Sequence, residues 1–194
     1  YQDRALPSLH GQLLACEPAQ NLVHRAIIAR NGSQLTLHRD PSESKSEFLT
    51  SSDTWFHAIA MSHAPDGSIY IVDFYREIIE DYSAIPRYLQ QQYGLIAGKD
   101  HGRLWRLTHE AASLGPNADM SQLSSEQLAA EVGSSHYWRR TTARRLLVEK
   151  KQKQVAPILV RMIAESKEVA TLLNAMHTLH GLQALGSNEC MSAL

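Results

Sequence analysis

The chain has 194 residues, 43% of them hydrophobic and 20% charged, with 19 Lys and Arg against 20 Asp and Glu. That is the balance of a folded protein of one or two domains with a real core. A net charge of −1 leaves no global field to attract nucleic acid or an anionic membrane. Two cysteines, Cys16 and Cys190, are too few for a disulfide framework or a zinc site of their own, and free buried thiols are the competing reading. No apolar run is long enough for a transmembrane segment.

In chain order, residues 1–110 read as β-rich. Gly11 to Glu17 is a first strand. Asn21 to Arg30 and Ser33 to Arg39 flank Asn31-Gly32, a favoured hairpin dipeptide. Asp40 to Lys45 is a polar loop, and Phe48 to Trp55 leads to the main hairpin. There Phe56 to Met61 runs into Pro65-Asp66-Gly67, and Ile69 to Phe74 follows. Ile69, Tyr70, Ile71, Val72 and Phe74 place apolar groups on both faces of that second strand. The expectation is a ribbon covered front and back, as in the stacked sheets of a β-propeller.

After Phe74 the period changes. Ile78, Ile79 and Tyr82 fit one helical turn. Pro86 suits a helix start, and Arg87 to Tyr93 is expected to be helical up to a Gly94 cap. Gly98 to Gly102 is a turn. Arg103 to Leu107 is a closing strand whose mixed alternation leaves its faces undetermined.

Residues 111–120, with Gly115, Pro116 and Asn117, read as a linker. Residues 1–120 carry 10 Lys and Arg against 14 Asp and Glu, whereas residues 121–194 carry 9 against 6, which supports a boundary there. From Ser121 the pattern is helical. Ser124 and Gln127 make a capping box. Trp138, Thr142, Ala143, Leu146 and Leu147 define one apolar face. Val155, Ile158, Leu159, Met162 and Ile163 define the next, and Val169, Leu172, Leu173, Met176 and Leu179 a third. Short helices with polar breaks suggest stacked pairs compatible with a HEAT-type repeat.

Several segments, in order, carry a resemblance. They are GQLLACEPAQNLVHR (11–25), EFLTSSDTWF (47–56), PDGSIYIVDFYREII (65–79), Ile85-Pro86 and GKDHGRLWRL (98–107). Together they resemble the last part of the "membrane-bound dehydrogenase" type of β-propeller. That type occurs in planctomycete and verrucomicrobial multidomain proteins and is distantly similar to the glucose/sorbosone dehydrogenases. The segment 123–182, with Tyr137-Trp138-Arg139-Arg140 and Ala143-Arg144-Arg145-Leu146-Leu147, resembles the start of the HEAT-like domain that follows such propellers.

The resemblance implies a mixed, multi-domain fold. Residues 1–110 would be the C-terminal part of a propeller, 111–120 a linker and 121–194 the start of an all-α HEAT-like solenoid. It implies a fragment, in keeping with a chain that begins at Tyr1 and ends inside a helical pattern. The implied activity is that of an extracytoplasmic, periplasmic sugar or alcohol dehydrogenase. It would use pyrroloquinoline quinone and calcium and pass electrons to a c-type cytochrome. The sequence has no Cys-x-x-Cys-His for covalent haem. The family's Arg-Pro after the Ser-Asp-x-Trp-Phe run is His57-Ala58 here, which replaces a guanidinium fork by an imidazole.

Asp53, His57, Asp73, Tyr75 and Arg76 are the polar groups nearest the strand ends of the main hairpin. For a quinone site, His57 would be the catalytic base, Arg76 and Tyr75 would bind the cofactor, and Asp53 and Asp73 would hold the metal. The competing reading is structural: the aspartates accept backbone N–H groups in turns, and Arg76 pairs with Glu77 or Glu80. His177 and His180 share a helix face without a third ligand. The basic residues Arg139, Arg140, Arg144, Arg145, Lys150, Lys151 and Lys153 form a solvated solenoid face or contact phosphate or an acidic partner. A non-catalytic propeller and HEAT module that binds a protein or glycan partner is the second functional expectation.

Overall fold

A computed structural model describes residues 1–79, 82–93, 97–112, 114–115 and 119–192. The chain forms two compact units. The first comprises residues 1–2, 6–64 and 68–112. The second comprises residues 3–5, 65–67 and 113–194.

The first unit holds two antiparallel sheets. In one, β1 (Leu13–Glu17) pairs with β2 (Leu22–Asn31), which pairs in turn with β3 (Gln34–Arg39) and with the short β4 (Leu49–Thr50). In the other, β6 (Ile69–Asp73) lies between β5 (Ala58–His63) and β7 (Arg103–Leu107). Strand β1 packs beside β5. Leu6, Leu9, Val23, Phe56, Ala58, Ile69 and Ile71 form the buried core. Helix α1 (Arg87–Tyr93) follows Pro86 as expected, while Gly94 lies outside the described residues. The helical turn expected at Ile78, Ile79 and Tyr82 is absent at Ile78 and Ile79, and a 3-10 turn spans Tyr82–Ala84.

Both hairpins form. In the first, Asn31 pairs with Gln34, so the two loop residues are Gly32 and Ser33, one position later than the dipeptide signal places them. Gly32 supplies the positive φ, at 59°. In the second, His63 pairs with Ile69 and the loop contains Gly67, at φ 89°. Strand β5 starts at Ala58 rather than Phe56, because Phe56 closes a turn by donating its N–H to the Asp53 carbonyl.

Strand β6 departs from the expectation of two covered faces. Ile69, Ile71 and Asp73 are buried, but Tyr70 is 40% exposed and Val72 half-buried. Their neighbours across the sheet, Arg106 and Leu104, are exposed too, Leu104 at 72%. This sheet therefore has one packed face and one face open to solvent, the ordinary state of an antiparallel sheet.

The second unit contains α2 (Ser125–Glu131), α3 (Tyr137–Glu149), α4 (Ala156–Glu165), α5 (Val169–Gly181) and α6 (Ser187–Ser192). The Ser124–Gln127 capping box is present in both directions. Leu128, Val132, Ala143, Leu147, Val155, Leu159, Ile163, Ala175, Leu179 and Leu182 fill its core. The buried face of α5 is rotated from the expected one: Val169 and Leu173 are exposed, while Ala175 and Thr178 are buried. The α3 N-terminus receives a distant cap. Asp3, fully buried, accepts the Tyr137 N–H at 2.6 Å and lies 3.2 Å from His136 Nδ1. Of the linker positions, Pro116 and Asn117 lie outside the described residues, as do Ala193 and Leu194 at the chain end.

Candidate functional site

The site residues sit where β5, β6 and β7 reach one end of their sheet. A register shift between Ala58 and Ala60 marks an irregularity in β5 beside His57. Beyond the strands the backbone pairing continues, from Phe74 N–H to the His57 carbonyl and from Arg76 N–H to the Trp55 carbonyl. This extension brings the 53–57 turn against the 73–76 segment. Asp73 also pairs with Arg103 on β7, so that strand joins the same corner.

Asp73 is the centre of the corner. Its carboxylate is buried, and one oxygen accepts the backbone N–H groups of His57 (3.0 Å) and Tyr75 (3.1 Å). The other accepts Trp105 Nε1 at 3.1 Å and lies 3.5 Å from Arg103 Nε. Three donors and a guanidinium thus surround a carboxylate that burial alone would disfavour. The Tyr75 backbone is held at φ 50°, an unusual conformation for an aromatic residue. The Asp73 acceptor fixes it from one side. Gly98 packs on the other, where a Cβ would fall 2.9 Å from the Tyr75 carbonyl.

Arg103 ties the surface of the corner together. Its guanidinium carbon is 3.8 Å from the Tyr75 ring centre and 5.4 Å from that of Trp105. Its Nη2 reaches Asp53 at 3.5 Å. Trp55 meets Tyr75 edge-on at 5.7 Å, and His101 lies 6.3 Å from the same ring. Asp53 accepts the Trp55 N–H at 3.0 Å. That bond, followed by Tyr75 and Arg103, holds its carboxyl below the ordinary range. Asp53, Arg103 and Trp105 stay accessible, with Trp105 46% exposed.

The five residues expected to serve a cofactor therefore share one corner, in mostly structural roles. His57 is buried, with Nδ1 2.6 Å from the Pro18 carbonyl and Nε2 2.9 Å from the Arg76 carbonyl. Both ring nitrogens are turned onto backbone carbonyls of the protein itself, so neither is directed at a substrate hydroxyl. Arg76 donates to the Tyr75 carbonyl at 3.1 Å and lies 4.4 Å over the Phe74 ring. Glu80, its alternative partner, lies outside the described residues. Asp53 and Asp73 do not fit a calcium ion: Arg103 contacts both carboxylates, and three N–H donors already occupy Asp73. Arg76, turned onto backbone carbonyls, does not present the fork that a carboxylated quinone needs. Among the described residues, no group of three or more His, Cys, Asp or Glu is arranged to hold a metal.

Sequence reasoning did not single out Trp55, His101, Arg103 or Trp105. The signal was strand order: once β7 is placed beside β6, the antiparallel register puts Arg103 opposite Asp73 and Trp105 opposite Ile71. Elsewhere, burial raises the Cys16 thiol pKa and so lowers its reactivity. His177 and His180 are exposed on α5. The basic stretch of α3 is divided by role. Arg139 pairs with Glu131, Arg140 is buried and donates to the Ser134 and Ser135 carbonyls, and Arg145 pairs with Glu149. No described helix is long and apolar enough to cross a membrane.

No curated protein and no solved structure matches the chain. A family described as a domain of unknown function, DUF7133, matches residues 1–111, more than half of the chain, and the chain belongs to that family.

Proposed function

We propose that the sheet corner is a binding surface for a glycan, and that the first unit is a non-catalytic binding module. The observation that carries this reading is the division of labour in the corner. His57 and Asp73 spend their polar atoms on the protein itself, while Trp105, Asp53 and Arg103 stay accessible side by side. A sugar ring offers apolar C–H faces and hydroxyl edges. An indole beside a carboxylate and a guanidinium offers both complements. In the same reading, the open face of the β5–β7 sheet packs against a further sheet, as neighbouring blades of a propeller do. Residues 121–194 are then the first helices of a HEAT-like solenoid.

The test is titration of the full chain with a panel of neutral and acidic oligosaccharides, followed by calorimetry. Binding that is lost in Trp105→Ala and kept in Leu35→Ala, an exposed residue of the other sheet, supports the reading. No binding across the panel rejects it.

The quinone-dependent dehydrogenase, periplasmic and passing electrons to a c-type cytochrome, is the second reading. What favours it is the convergence of Asp53, His57, Asp73, Tyr75 and Arg76 at one corner. It requires His57 to release a carbonyl and Arg76 to turn outward. Adding pyrroloquinoline quinone with calcium separates the two readings. Cofactor binding and dye reduction with a sugar or alcohol support the dehydrogenase, and their absence alongside glycan binding supports the module.

A further inference from the structure

The helical unit carries a second feature, independent of the reading of the sheet corner. Helices α3 and α5 pack together, and an open groove of about 570 Å³ lies along them. Arg144, Arg145, Val148, Glu149, His177 and Gly181 line it. We propose that this groove docks an acidic peptide segment of a partner protein, with side-chain carboxylates on Arg144 and Arg145.

Charge is the first argument. The lining brings two guanidinium groups and an imidazole to one place against a single carboxylate. Glu149 meets Arg145 at 3.1 Å in a pair along one helix. Both side chains are more than half exposed, so the pair is weak and readily exchanged for an incoming carboxylate. Arg144 is half-buried, and its guanidinium meets a neutral acceptor, Asn174 Oδ1, at a long 3.4 Å. A guanidinium fork gains most from a carboxylate, which it can hold through two parallel bonds.

Shape is the second argument. Gly181 lets the end of α5 approach α3 so closely that a Cβ there would lie 2.7 Å from Val148 Cγ2. The groove lining therefore includes an adjacent apolar pair, Val148 and Gly181, beside its charged residues. Its volume lies in the range of clefts that bury an organic ligand, roughly 300–1,000 Å³. A lone oxyanion would leave most of it unfilled. A peptide supplies both the carboxylates and apolar side-chain surface to cover Val148 and Gly181. The helical region is also the basic half of the chain, with 9 Lys and Arg against 6 Asp and Glu in residues 121–194. That favours capture of an acidic segment over a basic one.

The experiment uses the full chain and a fluorescein-labelled peptide of alternating Glu and Leu, with the Gln-and-Leu peptide as control. Anisotropy at low ionic strength is expected to show binding of the Glu peptide, at least about tenfold weaker for the Gln peptide and weakening as salt rises. Arg145→Glu, on an exposed side chain, is expected to reduce affinity at least about tenfold without loss of the helical circular dichroism signal. His177 ring resonances in the unsubstituted protein give a second readout, independent of any substitution, and are expected to shift during the peptide titration. Equal binding of the Gln peptide overturns the proposal. So does full affinity in Arg145→Glu, or a peptide that leaves His177 unmoved. Inorganic phosphate that competes as tightly as the peptide would assign the groove to small anions instead.

Discussion

Arg103 lies over the face of Tyr75, its guanidinium carbon 3.8 Å from the ring centre, while its nitrogens reach Asp53 and Asp73. One side chain thus links the strained Tyr75 backbone, the buried carboxylate and the surface turn. Lysine keeps the charge but loses the planar stack and the fork. Arg103→Lys is expected to lower stability by about 1 kcal/mol, because the side chain is partly exposed and screened. Urea denaturation reads this out. An unchanged midpoint would show that the stack contributes nothing.

Asp73→Ala is expected to cost more. It leaves the N–H groups of His57 and Tyr75 and the Trp105 indole without their acceptor, inside a region where water does not readily replace it. At ~1–3 kcal/mol for each buried donor left unpaired, with partial relaxation, the loss is expected to be about 3 kcal/mol or more. Thermal unfolding followed by Trp fluorescence is informative, since Trp105 is one of the three partners. A variant as stable as the parent would remove Asp73 from the centre of the corner.

Much of this architecture was legible beforehand, and the failures have a physical pattern. Both hairpins, the α1 helix after Pro86 and the Ser124–Gln127 capping box follow from local chemistry: turn conformation, proline φ and side-chain capping. What stayed hidden depends on distant partners. Asp73 looks like a surface turn acid until β7 is placed beside β6. Arg140 reads as one more solvated arginine, yet its guanidinium is buried on the Ser134 and Ser135 carbonyls. The apolar run 69–74 signals two buried faces because composition counts side chains, whereas the sheet packs on one face. For the same reason His57 was legible as a polar group near the site, while the two carbonyls that occupy its ring were not.

Within the second unit, Asp3 and Tyr137 are 134 positions apart, yet the aspartate caps the helix that begins at Tyr137. His136, the residue in the capping position, provides no side-chain cap of its own. Asp3→Ala removes a buried acceptor from a helix N-terminus and is expected to cost about 2 kcal/mol. Hydrogen exchange of the Tyr137 amide should accelerate with it. Exchange at the parent rate would mean that the cap is not formed in solution.

Four carboxyl groups, Asp40, Glu47, Asp53 and Asp119, are held below their ordinary range by hydrogen bonds. The main causes are the Ser42 hydroxyl for Asp40, His24 for Glu47, the Trp55 N–H for Asp53 and the Ser121 hydroxyl for Asp119. A carboxyl with a depressed folded-state pKa stabilises the fold fully above its unfolded pKa. That contribution disappears as pH falls through the folded value. All four signs agree, so stability is expected to decline below about pH 4, with no matching decline from these groups between about pH 5 and 8. Asp53 and Asp119 are solvent-exposed, while Asp40 and Glu47 are half-buried, so added salt should flatten the part of the profile that Asp53 and Asp119 supply. An acid limb identical at low and high salt would contradict this origin.

Gly67 and Gly32 separate two costs that usually travel together. Both occupy hairpin turns at positive φ, 89° and 59°. Around Gly32 an added Cβ meets nothing within 4 Å, so Gly32→Ala carries the backbone penalty alone, expected at about 1 kcal/mol. At Gly67 the same Cβ would fall 2.4 Å from Ala5 Cβ and 2.7 Å from Asp3 Oδ1. That is closer than side chains pack, and Asp3 cannot retreat without giving up the Tyr137 N–H. Gly67→Ala is therefore expected to cost at least twice as much as Gly32→Ala and to weaken the α3 cap as Asp3→Ala does. In the double variant Gly67→Ala/Asp3→Ala the two losses should be less than additive, because the second removes the Asp3 carboxyl, one of the two groups the first collides with, and leaves only the Ala5 contact. Strict additivity would place the Gly67 cost in the turn backbone and the Ala5 contact rather than in its pressure on Asp3.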